Sequence, residues 1–124
     1  MSYNNFLYLL SDALKNNHIE LALASLKTFR PVDIADVLTR LSLDQSQLLL
    51  THLPDRAYVF SYLAPNEQVK LAKAMPRNTL AEIIGEMSSD KRADVFKCLD
   101  EDQQNALLPA LAQAEREDIR QLAT

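Results

Sequence analysis

An apolar residue recurs along the chain at Phe29, Leu41, Leu53, Leu63, Met75, Met87, Leu99 and Leu111. Every spacing in that series is twelve except Leu53 to Leu63, which is ten. Within the units stand apolar pairs: Val37-Leu38, Leu48-Leu49, Val59-Phe60, Leu71-Ala72, Ile83-Ile84, Val95-Phe96 and Leu107-Leu108. Each anchor follows its pair by three or four residues, which places pair and anchor on one helical face. The pattern predicts a run of amphipathic helices of about two to three turns each, with the ten-residue unit shorter or rotated against its neighbours.

Turn chemistry falls between the units. Arg30-Pro31-Val32-Asp33, Ser42-Leu43-Asp44, Pro54-Asp55, Ala64-Pro65-Asn66, Pro76-Arg77-Asn78, Ser88-Ser89-Asp90 and Asp100-Glu101-Asp102 all read as helix starts. Ser, Asp and Asn side chains can accept from the free N–H groups of a first turn, and proline near the first position loses nothing by lacking one. Ser42 with Gln45, and Asp100 with Gln103, have capping-box spacing. Helices this short are marginal alone, so the units are expected to stack side by side and bury a continuous apolar stripe. Ahead of them, Phe6 through Leu14 and Ile19 through Leu26 read as two longer helices, separated at Asn16-Asn17, that cap the first repeat. The expected division is an N-terminal helical pair over 1–28 and short-helix repeats over 29–124, all in one domain.

Composition agrees with helices. A single glycine in 124 residues, five prolines and no run of alternating β-branched residues leave no segment that reads as a strand. The lone Cys98 gives no disulfide framework and fits a reducing compartment. With a net charge of −4 and no Lys/Arg cluster, a nucleic-acid partner is not expected. The longest apolar runs, such as Leu48-Leu49-Leu50, are far below the ~20 residues that a membrane-spanning helix requires. The first residues lack a basic stretch and a cleavage site, so no signal peptide is expected either.

Little in the chain suggests catalysis. His18 and His52 stand apart without a nucleophile motif, and read as helix-start or packing residues. Cys98, just before an anchor, reads as a small buried hydrophobe. Gly85 is placed mid-helix, where it allows a close approach or a bend, and one glycine cannot build a phosphate loop. The acidic arrangement that stands out is Asp90 with Asp94, four apart and hence on one helix face. Two carboxylates so placed can hold a hard cation such as Mg²⁺, which keeps several of its waters and takes one or two carboxylates from a surface. The competing reading makes Asp90 a helix cap and Asp94 a solvated charge. Glu82, Glu86, Glu101 and Asp102 thicken the negative field nearby and read as solubilising charges.

The repeat wording resembles a known family. Val32-Asp33-Ile34-Ala35-Asp36-Val37-Leu38, Leu53-Pro54, Leu63-Ala64-Pro65-Asn66-Glu67-Gln68, Met75-Pro76 and Ser88-Ser89-Asp90-Lys91-Arg92-Ala93-Asp94-Val95 are similar to the cytosolic N-terminal domain of MgtE-type magnesium transporters. The likeness runs from about Phe6 to the end. It implies a right-handed superhelix of short helices, followed in the family by a pair of CBS domains, a connecting helix and a pore. It also implies a non-enzymatic magnesium sensor on the cytoplasmic face of the bacterial inner membrane. At high Mg²⁺, ions bound between this domain and the CBS domains screen opposed carboxylates and hold the pore closed; at low Mg²⁺ the acidic faces repel. The family's ion-binding aspartates match Asp90 and Asp94, so a weak Mg²⁺ site shared with a CBS domain is expected there. A family glutamate that precedes an apolar pair is replaced here by Tyr58. The implied partners are the CBS domains and pore of the same transporter, with homodimer pairing through the full-length protein. The chain ends where the CBS pair would begin, and reads as a fragment. Related repeats in the flagellar rotor protein FliG leave a free-standing scaffold for protein binding as the alternative.

Overall fold

A computed structural model describes residues 2–111. The chain forms α1 (Tyr3–Lys15), α2 (Ile19–Ser25), α3 (Pro31–Arg40), α4 (Leu43–His52), α5 (Arg56–Ser61), α6 (Pro65–Ala74), α7 (Arg77–Gly85) and α8 (Ser89–Cys98). A further helical stretch, α9, covers 101–111, and no strand occurs among the described residues. The remainder of the predicted repeat region, 112–124, lies outside the described residues.

The short unit behaves as its spacing requires. α5 has 6 residues, whereas α3, α4, α6 and α8 have 10 each. The opening pair departs from expectation: α1 has 13 residues but α2 only 7, because the chain leaves the helix at Leu26 and runs through a turn to Arg30. The break between them falls where Asn16-Asn17 placed it. Asn17 takes the left-handed conformation at φ 59°, its N–H donates to the Leu14 carbonyl at 3.2 Å, and the His18 N–H donates to Ala13 at 2.8 Å. These are the two bonds of a Schellman stop, which satisfy carbonyls that the helix end would leave orphaned.

Stacking takes a form that the linear repeat does not display. α4 packs against α2 and α6, and α6 against α8, while α3 packs on α5 and α5 on α7. Alternate units therefore stack into two rows instead of each unit lying only on the next. This arrangement is compatible with a superhelix. α1 packs across α2 and α4.

The core lies where these rows meet. Leu49, Leu50, Val59, Phe60, Ile83 and Ile84 are fully buried, and the anchors from Leu53 to Leu111 are buried with them. Burying an aliphatic or aromatic side chain of this kind stabilises by about 1.5–3 kcal/mol, a gain that no unit obtains alone. Two pairs are shifted from the expected register. α4 buries Leu49-Leu50 with Leu48 at the margin, and Leu108 of α9 is exposed.

Side-chain capping is sparser than the sequence suggests. Ser42 and Gln45 form the expected capping box, and Asp100 and Gln103 exchange the equivalent bonds at 2.8 and 3.1 Å. Asp55 and Ser88 occupy N-cap positions without a side-chain cap bond. Pro31 and Pro65 sit at first helical positions, but Pro76 is itself the N-cap of α7 and Pro109 falls inside α9, where it removes a backbone donor.

Candidate cation-binding surface

Ser88 is the N-cap of α8, so Ser89 and Asp90 are its first two residues and Asp94 lies one turn further on. Asp90 is therefore a first-turn carboxylate and not the cap. Both aspartates are exposed, and neither carboxylate receives a hydrogen bond or ion pair among the described residues. Their i,i+4 spacing puts them on one face. The positive end of the α8 dipole favours the Asp90 carboxylate and opposes a cation beside it, and Lys91 and Arg92 stand between the two acids in sequence. Taken alone, the pair offers two exposed carboxylates on one helix face. Among the described residues no group of three or more His, Cys, Asp or Glu side chains is placed to hold a metal ion.

The same corner brings in residues distant in sequence. Tyr58 of α5, 67 % exposed, lines a cavity of about 120 Å³ together with Glu86, Ser88 and Lys91. Tyr58 thus sits beside the start of the helix that carries Asp90. A larger cavity of about 400 Å³ is lined by Leu23, Phe29, Ile34, Leu53 and Val59, with Glu20, Lys27 and Asp55 also in its wall; it includes none of the α8 acids.

Glu82 and Glu86, read from sequence as solubilising charges, have a different role. Arg56 at the start of α5 donates to Glu86 through Nε at 3.0 Å and Nη2 at 2.7 Å, and reaches Glu82 at 3.5 Å. Its Nη1 donates to the Thr51 carbonyl at 3.3 Å. The Arg56 side chain is only 18 % exposed, and its bonds to Glu86 push its pKa further up despite the opposing effect of burial. Sequence reasoning missed this group because thirty residues separate Arg56 from Glu86.

Gly85 is the last residue of α7, not a mid-helix position, and its φ is negative. Arg92 Nη2 donates to the carbonyls of Gly85 at 3.1 Å and Met87 at 3.3 Å, closing the α7–α8 corner. Arg92 is the fourth residue of α8, and the equivalent residues of α4, α6 and α9 also reach back. Ser46 donates to the Leu38 carbonyl, Gln68 to Phe60 at 3.1 Å and Gln104 to Phe96 at 2.7 Å. Each closes a carbonyl in the last turn of the preceding helix. The clue in the sequence is a polar residue four after a helix start, where an apolar one would otherwise fit.

The remaining candidates are structural. His18 is the N-cap residue of α2 without a side-chain bond, and His52 Nδ1 lies 2.9 Å from the Leu48 carbonyl. Cys98, half-buried, donates through Sγ to the Asp94 carbonyl at 3.3 Å.

Over residues 29–124 the sequence matches the family described as MgtE intracellular N domain. The chain belongs to this family. Membership makes it an N-terminal domain of the magnesium-transporter type, which is a transporter region and not an enzyme family. A search of curated proteins finds no match. No helix among the described residues is long and apolar enough to cross a membrane, so this MgtE N domain contributes no spanning helix from that part of the chain.

Proposed function

We propose that this chain is the Mg²⁺-responsive regulatory domain of a magnesium transporter, acting on the cytoplasmic side and supplying half of an ion-bridged interface to CBS domains. The observation that carries the reading is the exposed, unpartnered Asp90–Asp94 pair on one face of α8, in a chain of the MgtE N domain family. Mg²⁺ retains much of its hydration shell and accepts one or two carboxylates from a surface, which suits such a pair. Carboxylates on a facing domain would complete the site. Without Mg²⁺ the two acidic faces repel, and with it they are bridged. The resemblance implies a family glutamate at the position of Tyr58, and on this reading the α5 side of the corner offers a neutral phenol in place of a charge.

The residues on which this depends can be tested in the chain alone. Titration with Mg²⁺, followed by amide chemical shifts, is expected to move the signals of the first turns of α8 in a weak, unsaturating manner. Asp90→Asn with Asp94→Asn should abolish that response while leaving the remaining spectrum intact. A Mg²⁺ response that survives the double substitution would place the ion elsewhere and overturn the assignment.

A further inference from the structure

α7 with its C-cap residue, and α8, each present two carboxylates four residues apart, Glu82 with Glu86 and Asp90 with Asp94. Spacing alone makes the two pairs equivalent for a hard cation. What separates them is Arg56, which grips the first pair and leaves the second untouched. Resting on the reading of α8 as a cation half-site, we propose that Arg56 is a specificity-determining residue: a resident cation that withholds Glu82 and Glu86 from divalent ions.

The geometry is that of a strong competitor. Two nitrogens of one guanidinium, Nε and Nη2, meet Glu86 side by side at 3.0 and 2.7 Å. Charge-assisted bonds of this forked kind are stronger than single neutral ones and fix orientation as well. Nη2 also serves Glu82, and Nη1 is tied to the Thr51 carbonyl, so the guanidinium is held from three directions. Its stem is largely covered, which leaves little conformational freedom to be lost on pairing. A hydrated Mg²⁺ entering at Glu86 would have to break the fork and leave the guanidinium charge close by in a partly dehydrated position. Asp90 and Asp94, which carry no such partner, are open to the ion. The arrangement thus divides the acidic residues of this region by function: the α7 pair locks α5 to α7 at any Mg²⁺ level, and the α8 pair responds.

The test is a Mg²⁺ titration of the full chain followed by side-chain carboxyl ¹³C shifts, in which glutamate Cδ and aspartate Cγ are read separately. In the wild type the Glu82 and Glu86 signals should stay still. In Arg56→Met they should acquire a Mg²⁺-dependent shift several-fold larger than in the wild type, and Arg56→Lys, which keeps the charge but loses the fork, should fall between. Should Arg56→Met not fold, the wild-type titration and Arg56→Lys still decide. Movement of Glu82 and Glu86 in the wild type, or their silence in a folded Arg56→Met protein, would overturn the proposal. Silence of Asp90 and Asp94 would instead sink the α8 reading, and the role of Arg56 would be judged on the glutamate signals alone.

Discussion

Gln68 is only 5 % exposed, yet it belongs to a residue type that is usually exposed. Its amide donates to the Phe60 carbonyl at the end of α5, which also accepts from the Leu63 N–H at 3.1 Å. Replacing Gln68 by leucine keeps the volume but removes the second of that carbonyl's bonds, so a loss of about 0.5–1.5 kcal/mol in stability is expected by denaturant unfolding. Substitution of exposed Asn66, two residues earlier, should have little effect. A second residue-scale cluster ties the chain start to α3. The Tyr3 hydroxyl donates to Asp36 Oδ2 at 2.8 Å, and Arg40 pairs with the same oxygen at 3.3 Å while lying over the Tyr3 ring. The Tyr3 bond, helped by Arg40, holds the Asp36 pKa below its ordinary 3.8. Burial and the Asp36 carboxylate push Tyr3 above its ordinary 10.0. Asp36 therefore contributes stability that is present above pH 3.8 and lost as pH falls through its depressed value. The Tyr3 contribution is present below pH 10.0 and lost as pH rises through its raised value. Thermal midpoints of wild type and Tyr3→Phe should differ by a constant amount near neutrality, with the gap closing at both extremes. The Tyr3–Asp36 pairing was not legible in the sequence: the two residues stand thirty-three positions apart, and a local pattern says nothing about contacts of that range.

At the scale of the element, what could be read was whatever depends on neighbours within one helix. The capping box of Ser42 and Gln45 is such a case, since its two bonds span only three residues. Gln45 also donates to Ser11 in α1, so the cap contributes to packing as well as to the helix. Ser42→Ala is expected to cost about 1 kcal/mol in thermal or denaturant unfolding. Ser88, with identical backbone angles but no side-chain bond, should lose far less on the same change. The sequence marks part of this difference, since Ser42 has Gln45 three residues on to close a capping box, whereas Ser88 has Lys91, which cannot accept. The missing two residues between Leu53 and Leu63 were legible and fall on α5, whose buried Val59 and Phe60 compensate for its brevity. Phe60→Ala should therefore destabilise by about 3–5 kcal/mol, close to the limit that a domain of this size tolerates.

For the molecule as a whole, the twelve-residue period gave the units but not their partners. A one-dimensional repeat cannot distinguish consecutive units that stack directly from alternate units that stack in two rows, and the structure takes the second course. Two rows matter for function because they bring α5, α7 and α8 together, setting Tyr58, Arg56 and Glu86 beside the start of the helix that bears Asp90 and Asp94. The acidic face was legible only in part. The Asp90–Asp94 spacing was evident within one helix, while the neutralisation of Glu82 and Glu86 depended on a residue two helices away. In the proposed function, Glu82 and Glu86 are already paired with Arg56, and exposed Asp90 and Asp94 are left for an ion and a facing domain. Small-angle scattering on this chain joined to the CBS segment of a transporter of the same family, titrated with Mg²⁺, tests that most directly. Millimolar Mg²⁺ should compact the wild type and leave the Asp90→Asn/Asp94→Asn protein extended; the same response in both, or compaction in neither, would contradict it.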